Sequence, residues 1–135
     1  MEELRLSAET ERWGDLEAWL EEKLENADCP PKALFQVCLA AEEVFVNIAS
    51  YAYGGSTGEA RIVLDISDDH VMTLSFEDSG IQYDPLKKAD PDVTLSAEER
   101  NIGGLGIFLV KKNMDDVSYA YRDSKNILTM KKKLF

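Results

Sequence analysis

The 135 residues suit one domain, and a composition of 44% hydrophobic and 30% charged residues, interleaved throughout, excludes a disordered tract or a fibrous repeat. A net charge of −11 argues against nucleic acid as a partner, because phosphate binding needs a basic stripe and only Lys131, Lys132 and Lys133 supply one. A protein or a small molecule is the expected partner.

The charge is uneven: ten acids against three bases in residues 1–28, thirteen against five in 29–110, and three against seven in 111–135. No uninterrupted apolar run approaches the roughly 20 residues of a membrane span. The acidic opening "MEELRLSAETERW" inverts the order of a signal peptide, so a cytoplasmic protein without membrane attachment is expected. Cys29 and Cys38 have no metal-ligand spacing and read as structural.

"EELRLS" at positions 2–7 alternates and predicts a first strand. Trp13, Leu16, Leu20 and Leu24 recur at steps of three and four, so residues 9–26 form an amphipathic helix with acids on its outer face. "DCPP" closes that helix and opens the next, since proline suits a first helical turn. From Pro31 to about Tyr53, Leu34, Val37, Cys38, Ala41, Phe45, Ile48, Ala49 and Ala52 share one face at about 100° per residue. "YGGSTG" breaks this helix.

"ARIVLDI" and "VMTLSFE", joined through residues 67–70, read as a hairpin. A polar stretch over about 82–101 follows, with Pro85 and Pro91. A connection of that length inside a compact domain signals a lid or a binding loop. It is expected to gain order when a ligand binds. A helix over 107–114 and a second hairpin, "VSYAYRD" with "NILTMKKKL", complete the chain. The order predicts a single α+β domain over 1–135, a two-layer sandwich with helices on one face of a mixed or mainly antiparallel sheet.

Three clusters carry chemistry. Glu43 and Asn47, four apart on the long helix, lie about 40° from each other and nearly opposite its apolar face. They read either as a solvated outer face or, because Leu39, Ala40 and Val46 flank them, as polar groups on a helix covered on both sides. "FEDSG", residues 76–80, is either a simple turn or a carboxylate able to accept from an exocyclic amine such as adenine's, with Gly80 admitting the base to the backbone. "NIGGLGIFLVKKNMD" sets three glycines against the start of a helix, where amide groups and the dipole favour an anion.

In this order, "EVFVN", "EDSG", a lid-length loop and "GGLGIFLV" resemble the ATP-binding domain shared by histidine kinases, type II topoisomerases and heat-shock chaperones, the Bergerat-type fold. Within that superfamily, "AAEEVFVNIASYAY" and the run from "GGLG" to "KKKL" look most like the bacterial serine-kinase anti-sigma factors. The resemblance covers about residues 9–134.

It implies an ATP- and Mg²⁺-dependent kinase that phosphorylates a serine on an antagonist protein, an anti-anti-sigma factor, and that also holds a sigma factor. It further implies a homodimer. Glu43 would be the general base and Asn47 the Mg²⁺ ligand. Asp78 would accept from the adenine amine beside Gly80. Gly103, Gly104, Leu105 and Gly106 would hold the phosphates, and Arg100 would reach the terminal phosphate from the lid. Gln82 stands where the family often has a second glycine. The sole histidine, His70, falls in a hairpin turn, so no histidine autophosphorylation is expected. A non-catalytic ATP-binding switch that controls a partner remains the competing reading.

Overall fold

Alternation at period two generates every strand of a single sheet. In the computed structural model, which describes residues 1–87 and 104–135, these are β1 (Glu2–Ser7), β2 (Glu59–Ile66), β3 (Val71–Asp78), β4 (Asp116–Arg122) and β5 (Lys125–Lys133). Their order is β1-β2-β3-β5-β4, and all four pairings are antiparallel. The sheet is thus wholly antiparallel among the described residues, not mixed.

Ala60, Ile62 and Leu64 of β2, Met72, Leu74 and Phe76 of β3, and Leu128 and Met130 of β5 form the buried face. The other face carries cross-strand ion pairs: Arg61 bridges Glu3 at 2.8 Å and Glu77 at 2.5 Å. Such exposed or partly exposed pairs add little to stability, because solvent screens them. Asp123 and Ser124, at φ 53° and 62°, turn the β4–β5 hairpin through two left-handed residues, a conformation whose twist matches that of the strands.

The helices are α1 (Trp13–Asn26), entered through a 3₁₀ turn at Thr10–Arg12, α2 (Pro31–Asn47) and α3 (Gly104–Asn113). Leu16, Leu20 and Leu24 of α1, Val37, Ala41 and Phe45 of α2 and Val110 of α3 join the inner sheet face in one hydrophobic cluster. The sandwich of helices on one sheet face is the predicted architecture.

Three details depart from the sequence reading. The long helix is not α-helical to its end: after Asn47 it widens into a π-helical segment, Ile48–Ala52. Ala40 and Val44, on the flank near Glu43, are buried as deeply as the predicted core face, because α3 packs on that side. The last helix begins at Gly104 rather than at residue 107, so Gly104 and Gly106 belong to its first turn.

Pro31–Ala52 is also, by length and composition, long and apolar enough to cross a bilayer. Lys32, Glu42, Glu43 and Asn47 interrupt it, and its buried face is the centre of the hydrophobic cluster. Residues 88–101 of the expected lid at about 82–101, with Arg100, and Gly103 lie outside the described residues.

Candidate functional site

The inward rows of the sheet turn polar at one end. Beyond Phe76 the next inward position of β3 is Asp78, and beyond Leu128 the next inward position of β5 is Asn126. The two are direct cross-strand partners, and each is only 7% exposed. Above them, a cavity of about 440 Å³ opens between the sheet end, α2 with its π segment, and α3. Val44, Ile48, Phe76, Ile107 and Leu128 give it apolar walls, while Asn47, Asp78 and Asn126 supply polar groups. Apolar walls with few convergent polar groups suit a flat heteroaromatic ligand.

Asp78 is held from one side only. Its Oδ1 accepts from the Gly80 backbone N–H at 3.0 Å and from Asn126 Nδ2 at 3.0 Å. Among the described residues, Oδ2 receives no donor. A buried carboxylate oxygen without a partner is costly, and the cavity is where a ligand N–H can satisfy it.

Asn126 uses its whole amide. Nδ2 donates to Asp78 and to the Ile81 carbonyl at 2.9 Å, while Oδ1 accepts from the Tyr83 N–H at 3.0 Å and from the Tyr119 hydroxyl. The sequence reading missed this residue. Its one signal was parity: in "KNILTM" an asparagine occupies the row of Leu128 and Met130. Which acid lies opposite depends on strand pairing.

Gly80 has a steric reason. A Cβ there would lie 2.1 Å from the Ala52 carbonyl oxygen, which accepts from the Ile81 N–H at 2.8 Å. Only glycine lets the chain after β3 lie against the π segment. Widening the helix after Asn47 thus serves contact with this turn, and π segments are common at functional sites.

Asn47 lines the cavity, and its side-chain amide has no hydrogen-bond partner among the described residues. Glu43 is one helical turn earlier, half-buried against α3, and likewise has no hydrogen-bond or ion-pair partner among the described residues. Burial pushes its carboxyl above the ordinary 4.5, and the Glu42 charge beside it adds to the rise. No group of three or more His, Cys, Asp or Glu side chains is arranged to cage a metal among the described residues. Asn47's amide oxygen is a hard donor that suits Mg²⁺ only as one ligand among phosphate oxygens and water, the usual way this ion is held beside a nucleotide. The residues therefore fit Mg²⁺ bound together with its nucleotide.

The raised pKa has a consequence for stability. The folded chain holds the Glu43 proton more tightly than the unfolded chain, so this contribution is fully present below pH 4.5 and is lost as pH rises through the raised value. Glu43→Gln fixes the neutral form. Its Tm is expected to match that of the parent at pH 4 and to exceed it increasingly above that window, a difference measured by calorimetry across pH 4–8. A constant offset at all pH values would contradict it.

Residues 6–132 match the family described as the histidine kinase-like ATPase domain. This chain belongs to that family. Among curated proteins, the histidine kinase-like ATPase resembles the serine/threonine-protein kinase BtrW of Bordetella bronchiseptica, at 29% identity over 127 residues, covering 94% of this chain and 89% of that protein. It also resembles the serine-protein kinase RsbW of Bacillus cereus, at 28% identity over 97 residues, and the match spans 60% of that relative's length.

Among solved structures, the chain containing the RsbU and RsbW domains of Rv1364c from Mycobacterium tuberculosis superposes with TM-score 0.66 at 13% identity, covering 99% of this chain and 33% of that one. The histidine kinase domain of the Erythrobacter litoralis EL346 blue-light activated histidine kinase gives 0.59 at 13% identity, covering 93% of this chain and 60% of that one. These likenesses establish the fold.

Proposed function

We propose that this histidine kinase-like ATPase is a Mg²⁺·ATP-dependent serine protein kinase acting in the cytoplasm as an anti-sigma factor or a close regulatory relative. Its substrate is a serine on an antagonist protein, and its second partner is a sigma factor. One observation carries the reading. Asn47 and a half-satisfied buried Asp78 line the same cavity, and Glu43 stands one helical turn before Asn47 on the same helix, a set of polar groups that suits a nucleoside triphosphate.

Each residue has a distinct task. Asp78 Oδ2 accepts from the adenine 6-amino group, and Asn126 keeps that oxygen aimed by fixing its twin. Apolar walls from Ile48, Phe76 and Leu128 exclude water from the base. The first-turn N–H groups of α3, which have no intrahelical acceptors, face the phosphates, helped by the positive end of the helix dipole. Leu105 and the glycines at 104 and 106 belong to that turn, and Arg100 and Gly103 are assigned to the same phosphates.

Asn47 is the protein ligand for Mg²⁺, which supplies charge neutralisation when bound. Glu43, without a hydrogen-bond or ion-pair partner among the described residues and with its pKa raised by burial, takes the proton of the serine hydroxyl as the serine oxygen bonds to the γ-phosphorus and ADP leaves with the electron pair of the broken P–O bond.

Nucleotide binding is tested apart from transfer by thermal unfolding with Mg²⁺·ATP. Ligand at about 100 times its Kd should stabilise the fold by roughly 2.7 kcal/mol. No shift at millimolar Mg²⁺·ATP would remove the basis of the assignment.

A further inference from the structure

We propose that Gly106 is a positioning residue for Glu43: the missing side chain at 106 is the space into which the Glu43 carboxylate fits. The proposal rests on the reading of Glu43 as the base. Gly106 is buried in the first turn of α3, where that helix packs on α2. A Cβ built on it would meet Glu43 Oε2 at 2.4 Å and Glu43 Cδ at 3.2 Å, with the Glu43 Cβ at 3.8 Å. Apart from the two flanking residues and the helix's own backbone, no described residue comes nearer to that point than these Glu43 atoms.

This differs in kind from Gly80, whose missing Cβ faces backbone. At 106 the obstacle is the far end of a flexible side chain, so an added methyl moves the carboxylate and leaves the fold intact. The glycine is not needed for backbone freedom, because the position lies within a regular helix where alanine is the better helix former. Nor does the methyl remove the N–H available to a phosphate. What Gly106→Ala takes away is the location of one carboxylate.

A misplacement of about 1 Å at a reacting group can slow chemistry about 100-fold. Phosphoryl transfer from Mg²⁺·ATP to the acceptor protein captured from the native cell should therefore fall about 10- to 100-fold in Gly106→Ala, a larger factor than any change in ATP affinity measured by calorimetry. In the Glu43→Gln background the same substitution should add no further loss, since the group it displaces no longer acts.

A readout independent of activity is the ¹³C NMR titration of the Glu43 side-chain carboxyl. Its midpoint, raised in the parent, should fall back toward 4.5 in Gly106→Ala as the carboxylate is pushed out of its half-buried place. An unchanged midpoint overturns the proposal, as does a loss of affinity that parallels the loss of rate, or an equal loss in the Glu43→Gln background. Failure of the underlying reading looks different: Glu43→Gln alone would then transfer phosphate at the parent rate.

Discussion

Glu43→Gln should bind Mg²⁺·ATP with parent affinity and transfer its phosphate about 10²- to 10⁴-fold more slowly, the usual worth of a positioned general base. The substitution is nearly isosteric and the Glu43 side chain has no hydrogen-bond or ion-pair partner among the described residues, so nothing in the described fold depends on its charge. Removing that charge relieves a half-buried carboxylate, which is why the same variant gains stability at neutral pH while losing chemistry. Loss of activity with a rise in Tm separates a base from a structural residue. Calorimetry for affinity and single-turnover kinetics for transfer check both halves.

Asp78→Asn should weaken ATP binding by about 100-fold, the size expected when a charge-assisted hydrogen bond is replaced by two donors facing each other. The Gly80 N–H and Asn126 Nδ2 both need an acceptor at the Oδ1 position, so the new amide is forced to place its carbonyl there. Its NH₂ then points into the cavity at the adenine amine. The fold keeps both internal bonds, and Tm without ligand should change little. GTP, whose 6-oxo group is an acceptor, should lose far less affinity or gain some. Competition calorimetry with the two nucleotides measures the ratio, and an unaltered preference would place the base elsewhere.

Most of the architecture was legible because it rests on period. Strands β2 and β3 set apolar residues at every second position over most of their length, and α1 repeats its leucines every fourth position, so one face of each had to be buried. Glu43, Asn47, Asp78 and the glycines were legible as motifs. What motif reading leaves open is why each small residue is small.

The wheel drawn for the long helix assumed one angular step throughout, so it missed the π segment that brings Ala52 against Gly80. It also took Ala40 as a flank and left Val44 off the apolar face, since nothing local says that α3 covers that side. The glycines at 104 and 106 read as a loop because glycine weakens isolated helices, and packing against α2 overrides that propensity. Asn126 was invisible for a related reason. Its role exists only through the β3–β5 register that sets it opposite Asp78, 48 positions away in sequence.

The central claim is that phosphate passes from ATP to a serine on another protein. It is tested by incubating the chain and its captured acceptor with Mg²⁺ and [γ-³²P]ATP, then identifying the labelled amino acid. The account predicts phosphoserine on the acceptor, with the label almost absent when Glu43→Gln replaces the parent. Label retained on the chain's own His70, or ADP released with no label on the acceptor, would contradict it.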